Sequence, residues 1–495
     1  MSYLMGVDLG TSGVKAMIID YEGNAETVSH VEYGIDIPFE GYAEQRPEAW
    51  WKAAVSAIKS VLEKSGVQAR DIKGVGLSGQ MHGAVLINKN LDPVRPAIIW
   101  CDRRSKAQVD EINDKIGRER LGRLALNPVA TGFQTASMLW IKEREPSSFS
   151  AAYKVILPKD YIRLKLTGTL GTDITDASGT LAFDTASLKW SDEIIGTLGL
   201  DMEKYPPCNA PQDPAGEVTR EAASETGLMK GTPVVYGGGD QPMQAVGNGI
   251  ISPGVVSSTI GTGGQIFTPV DKPLYDKELR THTFCSALPG VWSIMGASLS
   301  AGLSLRWLRD NILSGLDFKG MDAGAEKLSP GSGGLLFLPY LIGERTPHMD
   351  PYAKGVFFGL TLETTRFHMA RAVMEGAVYA LRDSLGIFSS LGVQIKNVIA
   401  SGGGAKSRLW VKMQADILGR EVRTSKAAEQ ACMGAAITAG VGLSVYPSFE
   451  SACGRLIKYD DEIIYPDEEN MKIYDHYYNV YKSLYVKNKD LFRTV

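Results

Sequence analysis

The stretch "MGVDLGTSGVKAMIID", residues 5–20, holds two apolar segments separated by a polar turn. Its flanks are rich in β-branched and aliphatic residues, so it predicts a strand, a turn and a second strand. A turn that serves folding alone needs only one or two glycine, asparagine or aspartate residues. This one groups a carboxylate with small and hydroxyl residues, namely Asp8, Gly10, Thr11, Ser12 and Gly13. Such a turn can bring backbone N–H groups close to an anion, although an ordinary hairpin with a polar turn is the alternative.

A second stretch, "GVVSSTIGTGGQIFTPV" at 254–270, repeats this design about half a chain later. Two β-rich segments again enclose a glycine-rich turn, which begins at Gly261. Repetition at that spacing predicts two domains of related plan. Glycine and proline near residue 250 place the boundary there, which gives domains 1–250 and 251–495.

Between the two hairpins, strand and helix signals alternate. "PEAWWKAAVSAIKSVLEKSG" predicts a helix with Pro47 in its first turn and Gly66 past its end. "IKGVGLSGQ" and "TPVVYGGGD" predict strands, and "VIASGGGAKSRLWVKMQADILG" predicts a strand, a glycine loop and a helix. This alternation indicates α/β domains whose central sheets are covered by helices. Tyrosines at helical spacing within about 468–492 predict a packing stripe on the last long helix.

Composition narrows the class of protein. The 495 residues are too many for one core, and 44% hydrophobic with 22% charged residues is ordinary for a globular chain. The net charge of −4 and the lack of a long basic run give no support for a nucleic-acid or anionic-membrane partner. Five scattered cysteines without a CxxC pair, and no apparent leader or membrane span, lead us to expect a cytoplasmic protein.

Three glycine-rich segments could offer backbone N–H groups to phosphate: the two hairpin turns and "SGGGAKS" at 401–407. The sequence contains no GxxxxGK[ST] P-loop, and no GxGxxG links an opening strand to a helix. Two facing hairpins instead fit the actin-like (ribonuclease H-like) ATPase plan, with phosphates in the cleft between two domains. The glycines of the first turn would then make room for phosphates, and Asp8 would face Mg²⁺.

Eight segments then resemble, in order from about residue 3 to about 445, the FGGY family of carbohydrate kinases. They are "GVDLGTSGVKAMIID", "GLSGQMHGAVLIN", "RPAIIWCDRRS", "KDYIRLKLTG…DASGT", "GGGDQPMQAVGNGI", "STIGTGGQI", "GERTPHMDP" and "SGGGAKSRLWVKMQADILGREV". The family transfers the γ-phosphoryl group of MgATP to a hydroxyl of a small open-chain sugar or polyol. The pattern is most similar to bacterial members that act on xylulose. The resemblance therefore implies phosphorylation of the terminal hydroxyl of a ketopentose, D-xylulose to D-xylulose 5-phosphate.

The resemblance also implies roles for individual residues of the first domain. Asp240 would be the base that accepts the proton of the attacking hydroxyl, and Asp8 would serve catalysis at the metal. A helix N-cap is the alternative for Asp240. The sugar-binding residues implied are Met81, His82, Trp100, Asp102, Asp240 and Gln241. A purely structural Met-His pair and a tryptophan packed in the core are the alternatives.

For ATP, the resemblance implies a binding surface divided between the two domains. Its residues are Gly10, Thr11 and Ser12 in the first turn, Thr262 and Gly263 in the second, Gly403, Gly404 and Ser407 at the adenosine, and Gly302 as another wall. A simple helix–helix contact is the alternative for Gly302.

One position departs from the family pattern. Gln241 follows Asp240, where members acting on xylulose have Asn and members acting on glycerol have Gln. The Arg-Glu pair that binds glycerol is absent, because Met81 and His82 occupy its place. Ribulose, a tetritol or gluconate remain alternative substrates. An actin-like chaperone or filament subunit is the rival from another class, and ketose-dependent ADP release would separate the two. We expect a small-molecule sugar as partner and leave a homodimer open.

Overall fold

The computed structural model describes residues 1–427 and 429–495. Two mixed β-sheets form its centre, one in the first half of the chain (1–250) and one in the second half (251–495). No helix within those described ranges is both long and apolar enough to cross a membrane.

The first half alternates strands and helices. Its strands are β1 (Tyr3–Leu9), β2 (Gly13–Asp20), β3 (Ala25–Glu32), β4 (Glu44–Gln45), β5 (Ile72–Gly79), β6 (Val85–Ile87), β7 (Ala97–Ile98), β8 (Lys154–Ile156), β9 (Thr172–Asp173), β10 (Phe183–Asp184), β11 (Lys189–Trp190), β12 (Cys208–Asn209), β13 (Pro214–Glu217), β14 (Pro233–Val235) and β15 (Gly238–Gly239). Its helices are α1 (Pro47–Ser65), α2 (Lys106–Ile116), α3 (Arg118–Ala125), α4 (Gln134–Arg144), α5 (Pro146–Ala151), α6 (Pro158–Thr167), α7 (Ile174–Ser178), α8 (Asp192–Thr197), α9 (Arg220–Thr226) and α10 (Asp240–Gly247).

The second half has fewer strands and longer helices. Its strands are β16 (Val255–Ile260), β17 (Gly264–Val270), β18 (His282–Cys285), β19 (Trp292–Ser298), β20 (Leu336–Leu338), β21 (Val356–Phe358), β22 (Asn397–Gly402) and β23 (Val422–Thr424). Its helices are α11 (Gly302–Asn311), α12 (Phe318–Ala325), α13 (Arg366–Ser390), α14 (Arg408–Leu418), α15 (Gln430–Gly442), α16 (Phe449–Leu456) and α17 (Glu468–Asn488).

The two sheets share one topology. In the first, β3, β2 and β1 are antiparallel neighbours, and β5 and β14 continue the sheet parallel to β1. In the second, β19, β17 and β16 are antiparallel neighbours, and β22 and β23 continue it parallel to β16. The predicted α/β class with two units of related plan is confirmed. The boundary at residue 250 stays a prediction.

Helix α1 forms where the sequence predicts a helix. It begins at Pro47 and ends before Gly66, whose φ of 68° closes the last turn in the left-handed conformation. Its buried face includes Trp50 and packs against β2 and β3. The tyrosine stripe of α17 is likewise a packing stripe, because Tyr474 and Tyr481 are buried in the core of the second half.

Helix α15 belongs to the second half of the chain but packs against β1 and β5 of the first sheet and crosses α10. Glycines make this close approach of backbones possible. A Cβ on Gly247 would overlap the carbonyl oxygen of Gln430, and one on Gly434 would overlap that of Met243. The backbones of α10 and α15 are therefore in direct contact, and this contact joins the two halves of the chain along the helix that begins at Asp240.

We expect Gly247→Ala to destabilise the protein by about 1–3 kcal/mol, since the new methyl group forces α10 and α15 apart. Gly386→Ala is the matched control. Gly386 lies inside α13, no atom lies within 4 Å of the position its Cβ would take, and alanine there should stabilise by about 0.5–1 kcal/mol. Denaturant unfolding of both variants checks the pair. Equal stabilities would contradict the contact at the crossing.

Candidate active site

The turn of the first hairpin, 10–12, is held in shape by its neighbours. The Gly10 N–H donates to the carbonyl oxygen of Gly13 at 3.0 Å. Gln45 Nε2 donates to the Thr11 carbonyl at 2.8 Å, and Trp100 Nε1 donates to Thr11 Oγ1 at 2.8 Å. Side chains from two other segments of the chain therefore hold the turn in place. The contribution of Gln45 has no signal in the sequence.

Asp8 lies near the end of β1, beside this turn, and is partly exposed. Its Oδ1 accepts a hydrogen bond from Ser78 Oγ at 2.6 Å. Burial raises the pKa of Asp8, while the Ser78 hydroxyl and the charge of Lys15 on β2 lower it. Lys15 itself pairs with Glu429 of the second half at 2.7 Å. Asp8 therefore presents a carboxylate beside the turn, close to the junction of the two halves.

Asp240 is the first residue of α10, and the position that caps the helix is taken by Gly239 without any side-chain bond. The N-cap alternative for Asp240 is therefore wrong. Burial and then the negative charge of Asp8 raise the pKa of Asp240 to about 7, against hydrogen bonds from Gln241 that lower it. The carboxylate of Asp8 therefore lies close enough for its charge to act on Asp240. A carboxylate with a pKa near neutrality suits a general base.

The glycines before Asp240 are explained by packing. Gly237 has a φ of 72°, and a Cβ there would collide with the carbonyl of Leu77. A Cβ on Gly239 would lie 2.6 Å from Met81 Cγ. This close approach places β15 beside the end of β5, so Asp240 and Asp8 both lie at the carboxyl ends of parallel strands, where α/β proteins place their ligands.

Met81 and His82 follow β5 at the same edge of the sheet. Met81 is buried beneath Gly239, whereas His82 is partly exposed and has a φ of 71°. His82 Nδ1 lies 2.6 Å from the carbonyl oxygen of Gly179, so that nitrogen carries the proton and donates. Burial lowers the pKa of His82 to about 4. At neutral pH its Nε2 is therefore a hydrogen-bond acceptor.

Trp100 and Asp102 come from one loop but face different surroundings. Trp100 is 42% exposed and contacts Thr11, so the alternative of core packing is wrong. Asp102 is buried, and its oxygens accept from the backbone N–H groups of Ala43 at 2.6 Å and Arg104 at 2.9 Å. Its guanidinium partner, Arg104, lies 2.8 Å away. Asp102 therefore stabilises the loop that carries Trp100, and no part of the carboxylate reaches solvent.

A fully buried charge cluster beneath β15 escaped the interpretation of the sequence, although "KDYIRLKLTG…DASGT" contains it. Lys159 Nζ lies 2.6 Å from Asp173, 2.8 Å from Asp160 and 3.1 Å from Asp176. These carboxylates are near enough to one another to hold a metal ion, but the ammonium group already occupies their centre. The cluster supports β15 through Thr175 Oγ1, which accepts from the Gly239 N–H at 2.9 Å.

The turn of the second hairpin, 261–263, resembles the first in its own closure. The Gly261 N–H donates to the Gly263 carbonyl at 2.9 Å, and the Thr262 carbonyl accepts from the N–H groups of Ala301 and Leu303. Gly302, at the start of α11, donates to the Gly261 carbonyl at 3.0 Å, and any side chain there would collide with that carbonyl. Gly302 therefore contacts the turn, and the helix–helix alternative is wrong.

The third glycine segment lies beside this turn. Strand β22 ends at Gly402, a short 3₁₀ helix covers Gly403–Lys406, and Ser407 caps α14 by accepting from the Trp410 N–H at 3.1 Å. A Cβ on Gly404 would lie 2.7 Å from the Cβ of Ile260, the residue before the turn. The structure thus brings together the residues of the second half that the resemblance assigns to ATP. Their contacts with a nucleotide stay a prediction.

Comparison with known proteins shows which family this chain resembles over its length. Two family models, the N-terminal and C-terminal domains of the FGGY family of carbohydrate kinases, match residues 3–247 and 256–443. The xylulose kinase of Bacillus subtilis is 35% identical over 99% of this chain and 98% of its own length. That of Escherichia coli is 36% identical over 84% of this chain and 85% of its own length.

Solved structures match over nearly the whole chain. The xylulose kinase of Rhodospirillum rubrum has a TM-score of 0.92 at 28% identity, over 99% of this chain and 100% of its own. The gluconate kinase of Lactobacillus acidophilus has a TM-score of 0.93 at 25% identity, over 98% of each chain. The predicted pair of actin-like domains is confirmed by these neighbours.

Proposed function

Because the chain belongs to the FGGY family of carbohydrate kinases, we propose that it transfers the γ-phosphoryl group of ATP to the terminal hydroxyl of D-xylulose. Near-full-length similarity to curated xylulose kinases supports this substrate. The observation that carries the reaction is the carboxylate of Asp240, whose pKa is raised to about 7 by burial and then by the charge of Asp8. D-Xylulose 5-phosphate and ADP would be the products.

Asp240 accepts the proton of the terminal hydroxyl as its oxygen attacks phosphorus in line with the leaving ADP. His82 Nε2 accepts a hydrogen bond from another sugar hydroxyl, and Met81 provides an apolar wall beneath it. Gln241, next to the base, takes the place nearest the reacting end of the sugar. Trp100 covers the turn from the first half, and Asp102 acts through the loop that it stabilises.

The two hairpin turns hold the ATP phosphates between the halves, through Gly10, Thr11 and Ser12 on one side and Thr262 and Gly263 on the other. Gly302, Gly403, Gly404 and Ser407 form the adenosine pocket beside the second turn. N–H groups fixed in advance stabilise negative charge without reorganising during the reaction. Residues 1–250 thus bind the sugar and supply the catalytic base, and residues 251–495 bind most of the nucleotide.

Asp8 fits a Mg²⁺ ion. Among the described residues, Ser78 is the one side-chain donor to the Asp8 carboxylate, and it donates to Oδ1. Burial raises the pKa of Asp8. A cation held by this carboxylate would therefore stabilise its ionised form. A bound Mg²⁺ would neutralise charge on the phosphates. The backbone N–H groups of the two turns position the phosphates, and Asp240 removes the proton.

A coupled assay for ADP release across D-xylulose, D-ribulose, erythritol, gluconate and glycerol tests the proposal. We expect D-xylulose to give the highest kcat/KM, with the phosphate on its terminal oxygen. Preference for another member of the panel would overturn the substrate, and Gln241 and the gluconate kinase neighbour make that comparison informative. A rate of ADP release that is the same with and without each sugar would instead favour an actin-like ATPase. A cytoplasmic location and a homodimer stay predictions.

His82→Ala should raise the KM for ketose by about threefold to tenfold, the effect of losing one hydrogen bond of about 0.5–1.5 kcal/mol. The KM for ATP should not change, because His82 lies on the sugar side. His476→Ala, at an exposed position of α17, is the matched control. Steady-state kinetics with each substrate varied in turn measures both values, and equal effects on both substrates would assign His82 a structural role.

A further inference from the structure

The segment 344–346 of the second half is clamped to the end of β19. Glu344 is buried, and its carboxylate accepts from Ser298 Oγ at 2.7 Å and from the Leu299 N–H at 2.9 Å. Thr346 Oγ1 accepts from the Ala297 N–H at 3.2 Å. Because both flanking residues are fixed, the backbone of Arg345 has a defined position.

That position adjoins the second glycine turn. A Cβ on Gly263 would lie 2.7 Å from the carbonyl oxygen of Ser298, the residue that donates to Glu344. A few residues further along the chain, the N–H groups of Ala301 and Leu303 donate to the Thr262 carbonyl. One loop therefore connects the anchor of Arg345 to the turn that we assign to the ATP phosphates.

The charge of Arg345 reaches the sugar side of the cleft. Burial, and after it the positive charge of Arg345, lowers the pKa of both His82 and His282, and the ring of Phe133 lies near both imidazoles, with centroid distances of 4.1 and 6.0 Å. His82 and Phe133 belong to the first half and Arg345 to the second, so this charge acts across the junction of the two halves.

Arg345 forms no ion pair within the part of the chain that the structure describes, since no carboxylate in 1–427 or 429–495 is at ion-pair distance from its guanidinium. Burial lowers the pKa of Arg345, and the charge of the neighbouring Glu344 only partly opposes this. A partly desolvated cation without a partner costs free energy. Neutral sugar hydroxyls do not need a full positive charge for recognition, whereas a phosphoryl group in transfer carries negative oxygens that a guanidinium can bind with two parallel hydrogen bonds.

We propose that Arg345 is a further catalytic residue, whose guanidinium donates to the oxygens of the phosphoryl group as it passes from ATP to the sugar. This inference rests on the proposed function. In the step, the bond between the γ-phosphorus and the ADP oxygen breaks, the bond to the terminal sugar oxygen forms, and the hydroxyl proton goes to Asp240. Arg345 remains protonated throughout and stabilises the charge on the transferred group.

The test uses Arg345→Ala and Arg345→Gln, which removes the charge but keeps an amide donor, with Arg366→Ala at an exposed position of α13 as control. We expect both Arg345 variants to lower kcat by about 10²–10³-fold, the usual effect of losing a transition-state donor, and the control to leave kcat unchanged. By calorimetry, affinity for D-xylulose should stay within twofold, and affinity for D-xylulose 5-phosphate should fall at least tenfold.

Thermal melting shows whether each variant folds. If Arg345→Ala does not fold, Arg345→Gln is compared with the wild-type protein in its place. Unchanged kcat and unchanged affinity for the phosphorylated sugar would overturn the inference. Equal losses of affinity for xylulose and its phosphate would also overturn it, since Arg345 would then contact the sugar itself. Failure of the proposed function has a different signature, namely a wild-type protein that releases no ADP in response to D-xylulose.

Discussion

Asp240→Asn is expected to lower kcat by about 10²–10⁴-fold, the usual contribution of a positioned general base, while affinity for ATP stays within about twofold. Asparagine preserves the size of the side chain and cannot accept the proton. Asp114→Asn is the matched control, because Asp114 is an exposed residue of α2. Rapid-quench measurement of phosphoryl transfer separates the chemical step from product release. Near-normal turnover in Asp240→Asn would remove Asp240 from the role of base.

The pH dependence of the wild-type enzyme should carry the signature of the same residue. Only the ionised carboxylate can accept a proton, and its pKa is raised to about 7. The kcat/KM for ketose should therefore reach a plateau above about pH 7 and fall as the pH drops below that value. Asp240→Asn should show low activity without this acid limb. An identical limb in the variant would assign it to another group.

Asp8→Asn is the second large effect, with an expected loss of turnover of about 10²-fold and a higher Mg²⁺ concentration for half-maximal rate. The substitution removes the charge that would hold the cation beside the phosphates. Thr262→Val provides the contrast, since it keeps the shape of the second turn and removes a hydroxyl. Its affinity for ATP should fall by about 0.5–1.5 kcal/mol, with the Mg²⁺ requirement unchanged. If Mg²⁺ titrations of the two variants agree, the division between metal and phosphate contacts is wrong.

Features set by neighbours in the sequence were predictable here. The hairpin around Asp8 and the helix from Pro47 follow from local periodicity and terminal residues. For the hairpin and the helix, the physical cause lies within a few residues of its effect, so one stretch of sequence is enough to predict each of them. The glycines before Asp240 are visible in the sequence, but their contacts with Leu77 and Met81 are not.

Features that depend on distant contacts were not predictable. Lys159 pairs with Asp173 and Asp176 only after folding brings α6, β9 and α7 together. The contact of Gly247 with α15 joins segments nearly two hundred residues apart. That Arg345 forms no ion pair with the other described residues is likewise a property of the folded chain, although "GERTPHMDP" is visible in the sequence. A single sequence shows such residues but not their partners.

We expect sugar and ATP to meet at Asp240, with the two glycine turns around the phosphates. A crystal structure of the full chain with D-xylulose, Mg²⁺ and a non-hydrolysable ATP analogue tests this arrangement. It should show the terminal hydroxyl of the sugar within about 2.6–3.2 Å of the Asp240 carboxylate, and phosphates in contact with the backbone N–H groups of both turns, 10–12 and 261–263. A sugar whose terminal hydroxyl lies beyond hydrogen-bond reach of Asp240, or a nucleotide bound away from either turn, would contradict it.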